Sequence, residues 1–204
     1  MSISSLFRTV LTALLAYALG NLNGSIIVSK ALYHSDVRDA GSGNGGLTNF
    51  LRVYGKKAAP LVIFVDVGKA VLSTLLGGWL MGGFTAVKIG QSFGLLCVVL
   101  GHMFPALYGF HGGKGVLAGI SSIFVLDWRV GLILFCSFAL ILYLTRYVSL
   151  GSVICAAALP VLVQLFLHTP LATLLCAIAG GLVIFMHRSN IKRLLNGNEN
   201  KFTF

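Results

Sequence analysis

The chain has 204 residues, of which 57% are hydrophobic and only 10% charged, whereas about a quarter of the residues in a soluble domain carry charge. Its formal net charge is +10, yet the Lys and Arg residues fall mostly in loops beside apolar stretches. That placement fits membrane topology and anionic lipid or substrate and does not call for a nucleic-acid partner. These values exclude an ordinary soluble enzyme and indicate an all-α integral membrane protein.

Apolar windows near 6–30, 58–80, 88–107, 114–126, 129–145, 150–167 and 170–186 predict a bundle of seven transmembrane helices, since about 20 helical residues cross a bilayer. The first window is too long for a signal-peptide core and reads as a retained helix. The fourth and fifth are short, and only Asp127-Trp128-Arg129 parts them, so they are either two short spans or one long bent helix. Loop parity and charge favour two. With seven spans, Lys30, Arg38, Arg52, Lys56, Lys57, Lys114, Arg146, Arg188, Lys192, Arg193 and Lys201 share one face against Arg8, Lys88 and Arg129. The positive-inside rule makes that face cytoplasmic and puts the N-terminus outside. Residues 47–55, closing at Gly55, read as a short interfacial helix in the first cytoplasmic loop. No second domain or repeat is evident, so 1–204 reads as a single transmembrane domain. Cys97, Cys136, Cys155 and Cys176 sit in apolar runs without CxxC spacing and read as small buried hydrophobes.

Three blocks interrupt this pattern: Gly41-Ser42-Gly43-Asn44-Gly45-Gly46-Leu47-Thr48-Asn49 running to Arg52, then Gly112-Gly113-Lys114-Gly115, then His187-Arg188-Ser189-Asn190-Ile191-Lys192-Arg193. Hydrocarbon neither hydrogen-bonds a loosely wound backbone nor solvates a cation, so such blocks lie at a polar face or line a shared cavity. The spacing Gly41-x-Gly43-x-x-Gly46 imitates a dinucleotide fingerprint but follows a membrane helix instead of a strand. The second block lacks the first Gly and the Ser or Thr of a Walker A loop. What remains is phosphate chemistry. Glycines let backbone N–H groups converge on an anion, Ser42, Thr48 and Asn49 add donors, and Arg52 offers a planar fork. Lys114 adds a cation at the start of span four. On a continued helix His187 and Asn190 share one face and Arg188 and Lys192 another. Ser149 and Ser152, on the same side, are further candidate donors. Asp66 and Lys69, three apart in span two, read as a self-neutralising pair, and His102 as a packed helix-terminal histidine.

The ordered blocks Gly41-Ser42-Gly43-Asn44-x-Gly46-x-Thr48-Asn49-x-x-Arg52, Gly101-His102-x-Phe104-Pro105 with Gly109-Phe110-x-Gly112-Gly113-Lys114-Gly115-Val116, and His187-Arg188-x-Asn190-Ile191-x-Arg193-Leu194-Leu195-x-Gly197-x-Glu199-x-Lys201 resemble the three signature motifs of the PlsY family. Its members are bacterial membrane acyl-phosphate:glycerol-3-phosphate acyltransferases. The resemblance implies transfer of a fatty acyl group from acyl phosphate to the 1-hydroxyl of glycerol 3-phosphate, giving lysophosphatidic acid and phosphate, the first step of phospholipid synthesis. It implies no cofactor or metal, a site on the cytoplasmic side of the bacterial inner membrane, and a functional link to a soluble enzyme that makes acyl phosphate. By similarity the catalytic candidates are His187, Asn190 and Ser42. The substrate-binding candidates are Arg52, Lys114, Ser42, Gly43, Asn44, Thr48, Asn49, Gly112, Gly113, Gly115, Arg188, Ser149 and Ser152. The proton of the attacking hydroxyl goes either to His187 or to a substrate phosphate. A transporter of phosphorylated anions is the competing class, disfavoured because the polar material gathers at one face. A metal-dependent phosphotransferase is disfavoured because the five acids, at 36, 39, 66, 127 and 199, are scattered.

Overall fold

The computed structural model describes residues 3–82 and 87–202, so the extreme ends of the domain expected over 1–204 lie outside the described residues. Where the sequence suggests one first span, there are two helices, α1 (Ile3–Gly20) and α2 (Gly24–Tyr33). The break has a local cause. Asn23 Oδ1 accepts the Ile26 N–H at 3.1 Å and caps α2, while Asn21 Oδ1 accepts the Leu107 N–H from a distant loop at 3.1 Å. Asparagine at a helix start competes with the backbone ladder in this way, and the single continuous helix read over 6–30 is corrected accordingly.

Helix α3 (Leu47–Tyr54) matches the short helix expected over 47–55 and stops at Gly55, whose φ of 75° a side chain would resist. Then come α4 (Ala59–Leu80), α5 (Val87–Met103), α6 (Val116–Leu126), α7 (Trp128–Thr145), α8 (Val148–Leu167), α9 (Pro170–Met186) and α10 (Arg188–Leu195). Asp127 decides the open question between the fourth and fifth windows. Its backbone is extended, φ −156°, and its carboxylate caps α7 by accepting the N–H groups of Arg129 at 2.9 Å and Val130 at 3.4 Å. Two helices result, and α7 folds back on α6, with the Phe124 and Phe135 rings 6.4 Å apart and Gly131 against Phe124.

Length does not give seven full spans. Among the described residues five stretches are long and apolar enough to cross a membrane: Ile3–Tyr33, Ala59–Leu80, Val87–Tyr108, Trp128–Thr145 and Val148–Leu167. Helices α9 and α10, bent by 58° at His187, make a sixth if taken together. Helix α6, with 11 residues, reaches only about 16 Å.

Lipid tails are as apolar as leucine, so membrane helices associate through close packing of small residues. A Cβ on Gly77 of α4 would run into the Gly90 carbonyl oxygen of α5, and one on Gly20 of α1 would stand 2.7 Å from the Gly101 Cα of α5. Helix α5 is thereby clasped by α1 and α4 and packs also on α6 and α9. Phe64, Trp79 and Tyr143 point outward, whereas Ser73, Thr74, Ser92 and Ser122 are buried, the distribution expected when the solvent is lipid. The loop before α3, the loop between α5 and α6, the α7–α8 turn and the α9–α10 bend all meet at one end of the bundle, around one cavity.

Candidate active site

The first wall of the site is the loop between α2 and α3, and Asn49 is its keystone. Its side-chain Oδ1 accepts the Ser42 N–H at 2.8 Å, and its Nδ2 donates to Val37 O at 2.9 Å and Ala40 O at 3.1 Å. Gly41 and Gly43, at φ 63° and 70°, permit the curl, and a Cβ at Gly41 would strike the Asn49 amide. The expectation that Asn49 donates to a phosphate is therefore corrected: both of its N–H donors hold the loop. That leaves the Ser42 and Thr48 hydroxyls exposed at the cavity, the Leu47 and Thr48 N–H groups at the start of α3, and the exposed Arg52 guanidinium at the rim, with no hydrogen bond or ion pair among the described residues.

The second wall is the loop running into α6. Gly112 and Gly113 do not line the cavity. Their N–H groups donate to Met103 O and His102 O, both at 3.1 Å, and the Gly112 carbonyl accepts the Gly45 N–H at 3.2 Å. The phosphate-binding N–H groups expected of these two glycines are thus taken up in fixing one loop to α5 and to the other loop. Their contribution is steric, since a Cβ at Gly112 would collide with the His102 carbonyl. Lys114 follows them into the cavity, and Gly115 at φ 78° turns the chain into α6.

The third wall comes from the α9–α10 bend. His187 and Asn190 are 3% and 6% exposed and both line the cavity, brought together across a 58° bend instead of on the continued helix that the spacing implies. Arg188 also lines the cavity, with its guanidinium donating to Phe185 O at 3.1 Å and lying over the Phe185 ring. Lys114 Nζ donates to Asn190 Oδ1. Asn190 Nδ2 in turn donates to Glu199 Oε1 at 2.6 Å, and Arg193 Nε to Glu199 Oε2 at 2.7 Å. Ser149 and Ser152 line the cavity, but Ser149 gives its hydroxyl proton to Glu199 at 2.8 Å and Ser152 to Val148 O at 2.9 Å. Neither is a free phosphate donor, which corrects that expectation. Glu199 and Arg193 stand in the third motif without a role among the site candidates, and the fold places both on the cavity. Glu199 returns to the site because the Phe202 N–H donates to Arg146 O at 2.7 Å, pinning the tail against the α7–α8 turn.

Electrostatically the site is an anion trap, with Lys114, Arg52 and Arg193 on one cavity. Burial holds the Lys114 ammonium down to a pKa of about 8, opposed by Glu199 and reinforced by Arg193 and Arg52. His187, one residue past α9, is held to about 4, chiefly by burial, so its imidazole is neutral at pH 7. Its Nδ1 lies 2.8 Å from Val183 O and must donate there, which leaves Nε2 as an acceptor. Burial favours the protonated form of Glu199, but hydrogen bonds from Asn190, Ser149 and Arg193 outweigh it and keep the carboxylate ionised below its ordinary range. Inward of these groups the cavity of about 1080 Å³ becomes apolar, lined by Leu95, Val99, Ile123, Phe138, Leu159 and Val183 among others. A cationic mouth on an apolar shaft suits a molecule with a phosphate head and a hydrocarbon tail.

Comparison with known proteins agrees. The family described as "Glycerol-3-phosphate acyltransferase" matches residues 10–197. Glycerol-3-phosphate acyltransferases of Thermoanaerobacter sp. strain X514 and Clostridioides difficile strain 630 are 40% and 36% identical, over 94% and 96% of both chains respectively. The crystal structure of PlsY (YgiH), an integral membrane glycerol 3-phosphate acyltransferase, in its glycerol 3-phosphate form superposes with a TM-score of 0.82. The identity is 34%, and the match covers 98% of this chain and 96% of that one. The lysophosphatidic acid form of the same enzyme gives 0.82 at 32% identity, over 96% and 95%.

Proposed function

The chain belongs to the glycerol-3-phosphate acyltransferase family and is an integral membrane acyltransferase; from that premise we propose that it moves a fatty acyl group from acyl phosphate to the 1-hydroxyl of glycerol 3-phosphate. The products are lysophosphatidic acid and inorganic phosphate, as in the first step of phospholipid synthesis. The observation that carries this reading is the union of Arg52, Lys114 and Arg193 at the mouth of an apolar cavity. Both substrates bring phosphate to the cations, and one brings a chain that stays in an apolar shaft.

Each residue has a task in this scheme. Lys114, held by Asn190, and Arg52 bind phosphate through charge-assisted contacts, with Ser42, Thr48 and the α3 N-terminus adding donors. His187 Nε2 accepts a hydrogen bond from the neighbouring 2-hydroxyl of glycerol 3-phosphate and so orients the substrate, with the 1-hydroxyl oxygen facing the acyl carbon and its proton facing a phosphate oxygen. A group with a pKa of about 4 is a weak base near neutrality, so the proton passes to a phosphate oxygen. The hydroxyl oxygen bonds to the acyl carbon, the acyl–phosphate C–O bond breaks with its electron pair on phosphate, and that phosphate leaves carrying the proton. No covalent enzyme intermediate and no metal is required. Acyl phosphate must be made nearby, which implies a soluble enzyme supplying it at the cytoplasmic face.

The test is a donor comparison with purified protein, following lysophosphatidic acid. Acyl phosphate should support turnover in the presence of EDTA, while acyl-CoA and acyl carrier protein should not. Equal turnover with acyl-CoA, or EDTA inhibition reversed by a divalent ion, would overturn the reading. In the proposed topology the N-terminus is outside and the site is on the cytoplasmic side of the bacterial inner membrane. An enzyme reporter fused after Lys201 should therefore be active only in the cytoplasm, and activity confined to the outside would invert the scheme.

A further inference from the structure

One buried ionisable cluster has no part in the scheme above. Asp66 and Lys69 of α4 and His102 of α5 are 1%, 4% and 3% exposed. Charged groups at membrane depth are costly, and where they occur they mark function more often than not. Lys69 Nζ lies 2.7 Å from Asp66 Oδ1, 2.8 Å from Leu22 O and 2.9 Å from His102 Nδ1. Gly20 O is a fourth acceptor at 3.3 Å. An ammonium carries only donors, so at 2.9 Å His102 Nδ1 accepts and the ring proton resides on Nε2. Asp66 Oδ1 also takes the Gly24 N–H at 3.1 Å. One side of the cluster is therefore fastened to the α1–α2 break.

The other side reaches the active site. His102 Nε2 lies so close under Gly113 that a Cβ there would collide with it, and the His102 carbonyl accepts the Gly113 N–H at 3.1 Å. Gly113 immediately precedes Lys114, and both Asp66 and His102 share the cavity wall with Lys114. A pair serving only to neutralise itself would need no third member, and Lys69 would not have to hold an imidazole in one tautomer and one orientation against the loop.

We infer that Asp66, Lys69 and His102 are positioning residues that set the height of the Gly112–Gly113 loop, and through it the place of Lys114, for binding glycerol 3-phosphate. This rests on the acyl-transfer reading of the same site. The network acts on binding geometry, and no member of it touches the reacting atoms.

The test uses full-length protein and steady-state kinetics in glycerol 3-phosphate. His102→Asn keeps an acceptor for Lys69, so the charges stay satisfied, but removes the ring edge beneath Gly113. The double variant Asp66→Asn with Lys69→Met removes both charges together and leaves neither unpaired. In each, KM should rise by about tenfold, the equivalent of one weakened charge-assisted contact, with kcat changing less. In a Lys114→Ala background His102→Asn should add nothing further, because residues acting through one contact are not additive. A wild-type KM in His102→Asn, or losses that multiply in the Lys114→Ala background, overturns the inference. Wild-type protein that makes no lysophosphatidic acid overturns the acyl-transfer reading instead.

Discussion

Lys114→Ala should lower kcat/KM for glycerol 3-phosphate by roughly 10- to 150-fold, the loss of one charge-assisted contact worth about 1.5–3 kcal/mol, while the protein still inserts and folds. Folding should survive because Lys114 hydrogen-bonds to Asn190 alone among the described residues, and Asn190 keeps its bond to Glu199. Arg52→Ala should behave alike, since Arg52 stands exposed at the rim without a hydrogen-bond or ion-pair partner among the described residues. Lys57, exposed and outside the cavity wall, is the control, and Lys57→Ala should be mild. Arg52→Lys separates two roles: it keeps the charge but loses the planar fork, so a near-wild-type rate would reduce Arg52 to background potential. The pH profile gives an independent reading. Lys114 binds phosphate only as the cation, and its pKa lies at about 8 in the unliganded site. The wild-type kcat/KM should accordingly fall as pH rises through about 8, a limb that reports the free enzyme and is missing from Lys114→Ala. A flat profile to pH 10 would remove Lys114 from the binding step.

The parts of the molecule that were legible in advance are those governed by local pattern. Apolar windows located the helices, and three blocks of glycine and cations marked the end of the bundle where the site lies. The pairing of Asp66 with Lys69 followed from their spacing, and the structure has it at 2.7 Å. The illegible parts depend on partners distant in sequence. Nothing in the apolar window over 6–30 sets Asn21 and Asn23 apart, because the break there depends on hydrogen bonds with Leu107 and Ile26 that only the fold supplies. Asn49 looks from its motif like a ligand donor, and only the folded loop reveals that its amide holds backbone. Likewise Gly112 and Gly113 look like a phosphate nest until α5 ends beneath them.

Glu199 is the sharpest such case, and it carries the last expected result. In sequence it stands near the end of the third motif with no role assigned; in the fold its carboxylate gathers Asn190, Ser149 and Arg193. Glu199→Ala removes three hydrogen bonds, leaving two buried donors unmatched at about 1–3 kcal/mol each, so stability and activity should fall together. Glu199→Gln is the informative change. Its amide oxygen still accepts from Asn190 and Ser149, so the fold should hold, but the negative charge that favours protonated Lys114 is gone. Because Glu199 raises the Lys114 pKa against the downward pull of burial, Arg193 and Arg52, its neutralisation should carry that pKa below about 8. The alkaline limb of kcat/KM should then move to lower pH than in the wild type, with activity recovered on acidification. A Glu199→Gln protein that is folded and weaker, yet keeps the wild-type pH limb, would show that Glu199 acts by shape alone.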